Sequence, residues 1–218
     1  MASYEVITFD CYGTLIDWES GIWRAFERAA HADGVTIDRQ EILRAYAVVE
    51  AAVERETYRT YRETLGETAL RTAHALGWRL EYSEFLAESL PSWKPFPDTN
   101  PALERLRGAG IRLGILSNVD DDLIAATRKH FTVDFDVIVT AQQVRSYKPG
   151  HAHFIEARKR IGNSPWLHAA QSNLHDIVPA NALGIANAWI NRHSEKPLAG
   201  GSPTYEFANL TQLADAMA

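Results

Sequence analysis

The stretch Phe9-Asp10-Cys11-Tyr12-Gly13-Thr14-Leu15-Ile16-Asp17, "FDCYGTLID", follows directly on the apolar run "YEVITF". A short apolar run of that kind reads as a buried strand, and it places Asp10 at the strand's end, ahead of a turn glycine and a hydroxyl. A carboxylate there either caps the next element or faces a ligand. Working outward, similar apolar runs occur at residues 111–116, 137–140, 167–170 and 186–190, with helical patterns between the last four. The connections are long enough for parallel crossovers, so the expectation is an α/β fold: a three-layer, Rossmann-like parallel sheet. One helix start is signalled by Asn100 as N-cap with Pro101 in the first turn, and Gly162 stands where the pattern "HAHFIEARKRI" ends.

Between the first two strands, residues 18–94 show helical periodicity and little that resembles a strand. "PSWKPFPD", with Pro91, Pro95 and Pro97, reads as a stiff connector that returns the chain to the sheet. The expected organisation is a core of residues 1–17 and 95–218 with a helical cap, residues 18–94, inserted after the first strand.

With 218 residues, 46% hydrophobic and including six tryptophans, the chain can bury one sizeable core and a smaller appendage. A formal charge of −6 and the lack of a Lys/Arg-rich run argue against nucleic acid or an anionic membrane as partner. A small anionic substrate would need a local basic pocket. Neither a signal-type apolar region nor a run long enough to span a bilayer is seen, which makes the cytoplasm the expected compartment. The single cysteine excludes a disulfide framework and a multi-cysteine zinc site.

The polar residues after the strands are more informative, because ligand sites of open parallel sheets gather at the strands' carboxyl ends. Asp10 ends the first strand, Ser117 and Asn118 the second ("LGILSNVDDD"); Lys148 follows the third ("VRSYKPG"), and Gln171-Ser172-Asn173-Leu174-His175-Asp176 the fourth. Singly these are a cap, a turn and a surface charge. Together they deliver carboxylates, donors and an ammonium to one crevice.

The constellation resembles the haloacid dehalogenase superfamily, over essentially the whole chain. Within it, "DCYGT", "SN", "YKP" and "SNLHD" resemble the motifs of the 2-haloacid dehalogenases, as do "AWINR" and "YEFANLTQL" at the C-terminal end. The resemblance implies hydrolysis of small (S)-2-haloacids without a cofactor. Asp10 attacks C2, halide leaves, and water hydrolyses the resulting ester. Lys148 keeps Asp10 ionised, and Asp176 orients Lys148 or polarises the water. Thr14, Ser117 and Asn118 donate to the substrate carboxylate or oxyanion, Ser172 and Asn173 extend that polar ring, and Tyr12 belongs to the same substrate site. The family's halide cradle uses a cap arginine; Arg44 in "EILRAYAV" is the best match, with Arg39, Arg55 and Arg59 as alternatives.

A phosphatase of this fold uses an acid two residues after the nucleophile and binds Mg²⁺ through carboxylates of the fourth loop. Here those positions hold Tyr12, a weak acid, and the neutral Gln171. Halide leaves without protonation, so Tyr12 suits that chemistry. A Mg²⁺-dependent phosphatase remains the alternative, ahead of a non-catalytic ligand-binding protein of the same fold. Gln171 stands where the family often has Ser, Phe154 where it has Tyr, and His175 where it has an aromatic residue, which bears on substrate range. His175 is either a loop histidine or a proton carrier beside Asp176. A cysteine-phosphatase loop at Cys11 fails because Asp17 stands where its arginine belongs. No phosphate-binding loop or serine elbow is present. The sequence does not specify the oligomeric state, and a homodimer is retained as one assembly.

Overall fold

The apolar runs form β1 (Val6–Phe9), β2 (Arg112–Ser117), β3 (Val137–Thr140), β4 (Trp166–Ala170) and β5 (Ala186–Ile190) in a computed structural model that describes residues 4–218. A sixth strand, β6 (Tyr205–Phe207), was not among the runs read from the sequence. Every pairing is parallel, and the order is β3-β2-β1-β4-β5-β6. From β1 the chain first builds outward through β2 and β3, then crosses back to lay β4 on β1's other side. That reversal leaves a crevice at the carboxyl end of β1.

Alternation along the strands separates two cores. Ile7 and Phe9 pack with Leu103 and Leu106 of α5 (Thr99–Gly108) and with Leu210 and Leu213 of α10 (Leu210–Met217). On the opposite face, Val6 packs in a second cluster with Phe154 and Ala157 of α8 (Ala152–Ile161) and Ala180 of α9 (Val178–Ala182). Two helical layers on one sheet make the expected three-layer α/β fold. The short α6 (Asp121–Thr127) and α7 (Ala141–Val144) follow β2 and β3.

Five α-helices lie between β1 and β2 in the chain, and four of them precede α5: α1 (Trp18–Ala32), α2 (Arg39–Val53), α3 (Tyr61–Ala75) and α4 (Phe85–Ser89). Their starts follow capping chemistry. Asp17 accepts from the Ser20 N–H, Asp38 from Gln40 and Glu41, and Thr60 with Glu63 forms a reciprocal capping box. The last residue of "FDCYGTLID" is therefore a helix cap, whereas its Asp10 is not. Where the chain leaves and re-enters the sheet region, its two passages pair. Asp17 N–H donates to Lys94 O at 2.9 Å, Phe96 N–H to Leu15 O at 3.0 Å, and Ile16 bridges Pro95 antiparallel.

Two glycines are required here. Gly13 has φ +101°, inside a turn closed by Leu15 N–H on Cys11 O, and a β-carbon there would sit 3.1 Å from Trp18 Nε1. At Gly21, on α1, a β-carbon would lie 2.4 Å from the Trp93 ring. Gly162 ends α8 as expected. Asn100 is not the cap of α5, however. That helix begins at Thr99, and the Asn100 side chain instead bonds His130 O and Thr132 N–H, fastening α5 to the segment after α6. Cys11 is buried. Among the described residues no helix is long and apolar enough to cross a membrane.

Candidate active site

Lys148 reaches in from the loop after β3 and α7, and its three ammonium donors are all used. They reach Asp10 Oδ1 at 2.9 Å, Asp176 Oδ1 at 2.6 Å and Leu116 O at 2.9 Å. The lysine is 2% exposed, and Asp10 and Asp176 are buried with it. Three strand ends thus converge on one ammonium held between two carboxylates. Burial works against the Lys148 charge, but Asp10 and Asp176 more than offset it and hold its pKa above the ordinary lysine value. Burial would also raise Asp176, yet Lys148 and a hydrogen bond from His168 bring it down to about 2. At Asp10 burial prevails and its pKa is raised, with Lys148 and Thr14 opposing and Asp176 reinforcing.

Two relays fix the carboxylates. Gln171 N–H donates to Thr14 Oγ1 at 2.9 Å, and the Thr14 hydroxyl donates to Asp10 Oδ2 at 2.9 Å. On the other side, Trp166 Nε1–H donates to Thr8 Oγ1 at 2.7 Å, which lies 2.8 Å from His168 Nδ1, and His168 Nε2 stands 2.9 Å from Asp176 Oδ1. With Thr8 donating to Nδ1, His168 carries its proton on Nε2 and donates to the carboxylate. Asp176 Oδ2 has no partner and the residue lines the cavity, so that oxygen can accept from a ligand or water.

Above this floor lies a cavity of about 220 Å³, walled by Trp18, Ile22 and Trp93 and roofed by α2 through Ala47, Glu50, Ala51 and Glu54. Tyr12, Tyr46, Tyr61, Ser117, Asn118, Gln171, Ser172 and His175 complete it. The Ser117 hydroxyl is buried without a partner. Asn118 clamps the Lys148 backbone, accepting from its N–H at 2.7 Å and donating to its carbonyl at 3.1 Å. Tyr12 turns its phenol toward Thr127 Oγ1, 2.8 Å away, and its ring stands edge-on to Trp93. Burial raises that phenol well above the ordinary tyrosine value. Ser172 accepts from the His175 N–H, and burial lowers the His175 pKa, which keeps the ring neutral at pH 7.

Of the residues singled out in the sequence, Asp10, Tyr12, Ser117, Asn118, Lys148, Ser172 and Asp176 line the cavity, and Thr14 supports Asp10 from behind. Two do not belong. Asn173 donates to Gly201 O at 2.8 Å and accepts from Leu198 N–H at 3.1 Å, so its amide holds the 198–201 loop. Arg44 is exposed one turn before Ala47, beyond the part of α2 that covers the cavity. Among the described residues no arginine lines the cavity: Arg39 is exposed, Arg55 opens onto the adjoining cleft, and Arg59 pairs with Glu56. Phe154 is buried against His168. Sequence reasoning missed His168, Glu50 and Glu54.

A magnesium ion does not fit this donor set. Asp10 and Asp176 share the Lys148 ammonium, and the fourth loop presents Gln171 where a further anionic oxygen would be needed.

Comparison with known proteins agrees with this geometry. The model of the haloacid dehalogenase-like hydrolase family matches residues 4–167. The chain is 30% identical to (S)-2-haloacid dehalogenase 4A of Burkholderia cepacia, covering 95% of this chain and 89% of that one. It is likewise 30% identical to an (S)-2-haloacid dehalogenase of Pseudomonas putida, covering 99% and 97%. A crystal structure of an L-2-haloacid dehalogenase superposes with a TM-score of 0.86 at 22% identity, over 99% of each chain, which shows the shared fold. A match to three quarters of the chain, on motifs that meet in one cavity, leaves one assignment: the chain belongs to the haloacid dehalogenase-like hydrolase family.

Proposed function

We propose that the protein hydrolyses the carbon–halogen bond of small 2-haloacids to give 2-hydroxy acids. The observation that carries this reading is a carboxylate nucleophile with no leaving-group acid two residues on: the Tyr12 phenol there is committed to Thr127 and made less acidic by burial. A leaving group that departs as a stable anion needs no such acid. The similarity to the (S)-2-haloacid dehalogenases of Burkholderia cepacia and Pseudomonas putida supports the same substrate class.

In the first step an Asp10 oxygen attacks C2 from the rear, the C–X bond breaks, and halide takes the electron pair. Lys148 holds Asp10 in its ionised form, and Thr14 aims the carboxylate. In the second step water, oriented by the free oxygen of Asp176, attacks the ester carbonyl carbon. The acyl C–O bond breaks, Asp10 is regenerated, and the product is a 2-hydroxy acid with one proton released. Ser117 is the free donor for the substrate's polar group or the ester oxyanion. We take residues 1–17, of which 1–3 lie outside the described residues, and 95–218 as the core and 18–94 as a cap, with the paired passages at Ile16 and Pro95 as the hinge. A buried single cysteine fits the cytoplasm, and a homodimer is the assembly to examine.

The test is a single turnover in H₂¹⁸O with enzyme in excess over 2-chloropropionate, in EDTA. Ester formation leaves the first product largely unlabelled and adds mass to the Asp10 peptide. Labelled product with an unlabelled peptide would establish direct attack by water on C2 and refute the mechanism.

A further inference from the structure

The cavity is more acidic than the hydrolysis of a simple haloacid calls for. Its floor has two carboxylates on one ammonium, and its roof adds Glu50 on α2 and Glu54 at the C-cap of that helix, four residues on. Among the described residues no arginine lines this cavity, while Arg55 and Arg145 line the adjoining cleft that Glu54 also borders. Four carboxyl groups thus face one ammonium, and where the roof pair is ionised the cavity suits a substrate that carries a positive charge as well as its carboxylate.

Two phenols favour the ionised form of Glu50, against the burial that raises its pKa. Both the Tyr46 phenol, at 2.6 Å, and the Tyr61 phenol, at 2.8 Å, donate to its Oε1, and both tyrosines are buried. Among the described residues nothing donates to its Oε2. The Glu54 side chain is 8% exposed; Asn118 donates to its Oε1 at a long 3.3 Å, and its Oε2 lies 3.8 Å from His175 Nε2. Burial raises both carboxyls, a cost that a bound cation would offset. The buried, unpartnered Ser117 hydroxyl in the same cavity independently marks space for a polar ligand, at the floor end.

We propose that Glu50 and Glu54 form a cation subsite, so that the substrate is a small haloacid carrying a protonated amine beyond its reacting carbon. This deepens the dehalogenase reading and rests on it for the chemistry. The amine docks under α2, and the carboxylate end meets Ser117 and the strand ends. Glu50 and Glu54 are specificity-determining residues here, and neither takes part in bond making.

Halide release is measured for 4-amino-2-chlorobutanoate and 2-chlorobutanoate with wild type, Glu50→Gln and Glu54→Gln. The glutamine carbonyl can still accept from Tyr46 and Tyr61, which protects the fold. Wild type is expected to favour the amino substrate in kcat/KM by at least ~10-fold, the scale of one charge-assisted contact, and each variant to lose most of that ratio. Equal rates on the two substrates, or a preference for the unsubstituted one, would overturn the subsite. Calorimetry with 4-aminobutyrate and butyrate separates the two readings, because it needs no turnover. Tighter binding of 4-aminobutyrate, weakened in both variants, supports the subsite even if no halide is released, in which case it is the dehalogenase reading that fails. Tighter binding of butyrate, as protonated carboxyl donors would give, overturns the subsite whatever the kinetics show.

Discussion

Replacing Lys148 by methionine removes the charge between Asp10 and Asp176 and keeps most of the side chain's length. The ammonium sits 2.9 Å from Asp10 Oδ1. At an effective dielectric of about 20, a pair at that distance has a gross attraction of roughly 6 kcal/mol. Desolvation and proton sharing with Asp176 reduce what is realised, and a shift of about 1–3 pH units is the usual range for such a neighbour. The direction follows from Asp10's proposed role as nucleophile. Its reactive form is the carboxylate, so activity is present above its pKa and lost as pH falls through it. In wild type burial already raises that pKa above the ordinary 3.8, and the acid limb of kcat/KM should lie correspondingly high. Lys148→Met should move the limb upward by about 1–3 units, a loss of about 10- to 1000-fold at any pH below it. The assay is halide release across pH 4–9 on the best haloacid, with circular dichroism confirming the fold at each pH. An acid limb that stays in place while the plateau rate falls would show that Lys148 does not set the ionisation of Asp10, and would refute this account of the triad.

His153, on α8, donates to Ser117 O and leaves Nδ1 buried without a partner; burial and the nearby Lys148 lower its pKa to about 3. The unfolded chain therefore binds the extra proton first: the stabilisation is complete above about pH 6.5 and is lost as pH falls toward 3, at about 1.4 kcal/mol per unit. Urea unfolding should show a loss of about 2 kcal/mol between pH 6.5 and 5 that His153→Gln removes, and an equal loss in both proteins contradicts the assignment. Gly21→Ala should destabilise by at least ~1–3 kcal/mol, since the new β-carbon would overlap the Trp93 ring at 2.4 Å, and an unchanged midpoint would show that Trp93 yields freely.

How much of this was legible in the sequence depended on how local the signal was. The central strands are short apolar runs ending in polar residues, so their positions and the convergence of Asp10, Ser117, Lys148 and Asp176 followed from the pattern. β6 has three partly exposed residues at the sheet edge, and so few residues carry little periodicity. Asn100 resembled a cap because of Pro101 beside it, but His130 and Thr132, thirty residues away, claim its amide. Asn173 was drawn into the site by a motif, while its side chain turns to the 198–201 loop. Glu50 and Glu54 in "EAAVE" look like a solvated helix face, and only the packing of α2 over the strand ends and α3 buries them. His168 sits mid-strand among apolar residues, and a histidine there is a signal that sequence alone can notice without identifying its partner.

The site divides chemistry from selection. Asp10, Lys148 and Asp176 come from turns at the ends of a buried parallel sheet, where backbone ladders fix each strand and every oxygen and donor of the triad but one, Asp176 Oδ2, is occupied by its neighbours. Changing any member leaves a buried charge unpaired, so the floor resists substitution. The roof is a single stripe of α2 and its C-cap at positions 47, 50, 51 and 54, whose side chains meet the cavity without bonding to the triad. Substitutions along that stripe can alter the charge offered to a substrate while leaving the nucleophile in place. An arginine on this stripe would recruit a free anion; this chain has two alanines and two glutamates there. The same floor can therefore serve substrates of different charge, and in this protein the proposed difference is carried by Glu50 and Glu54.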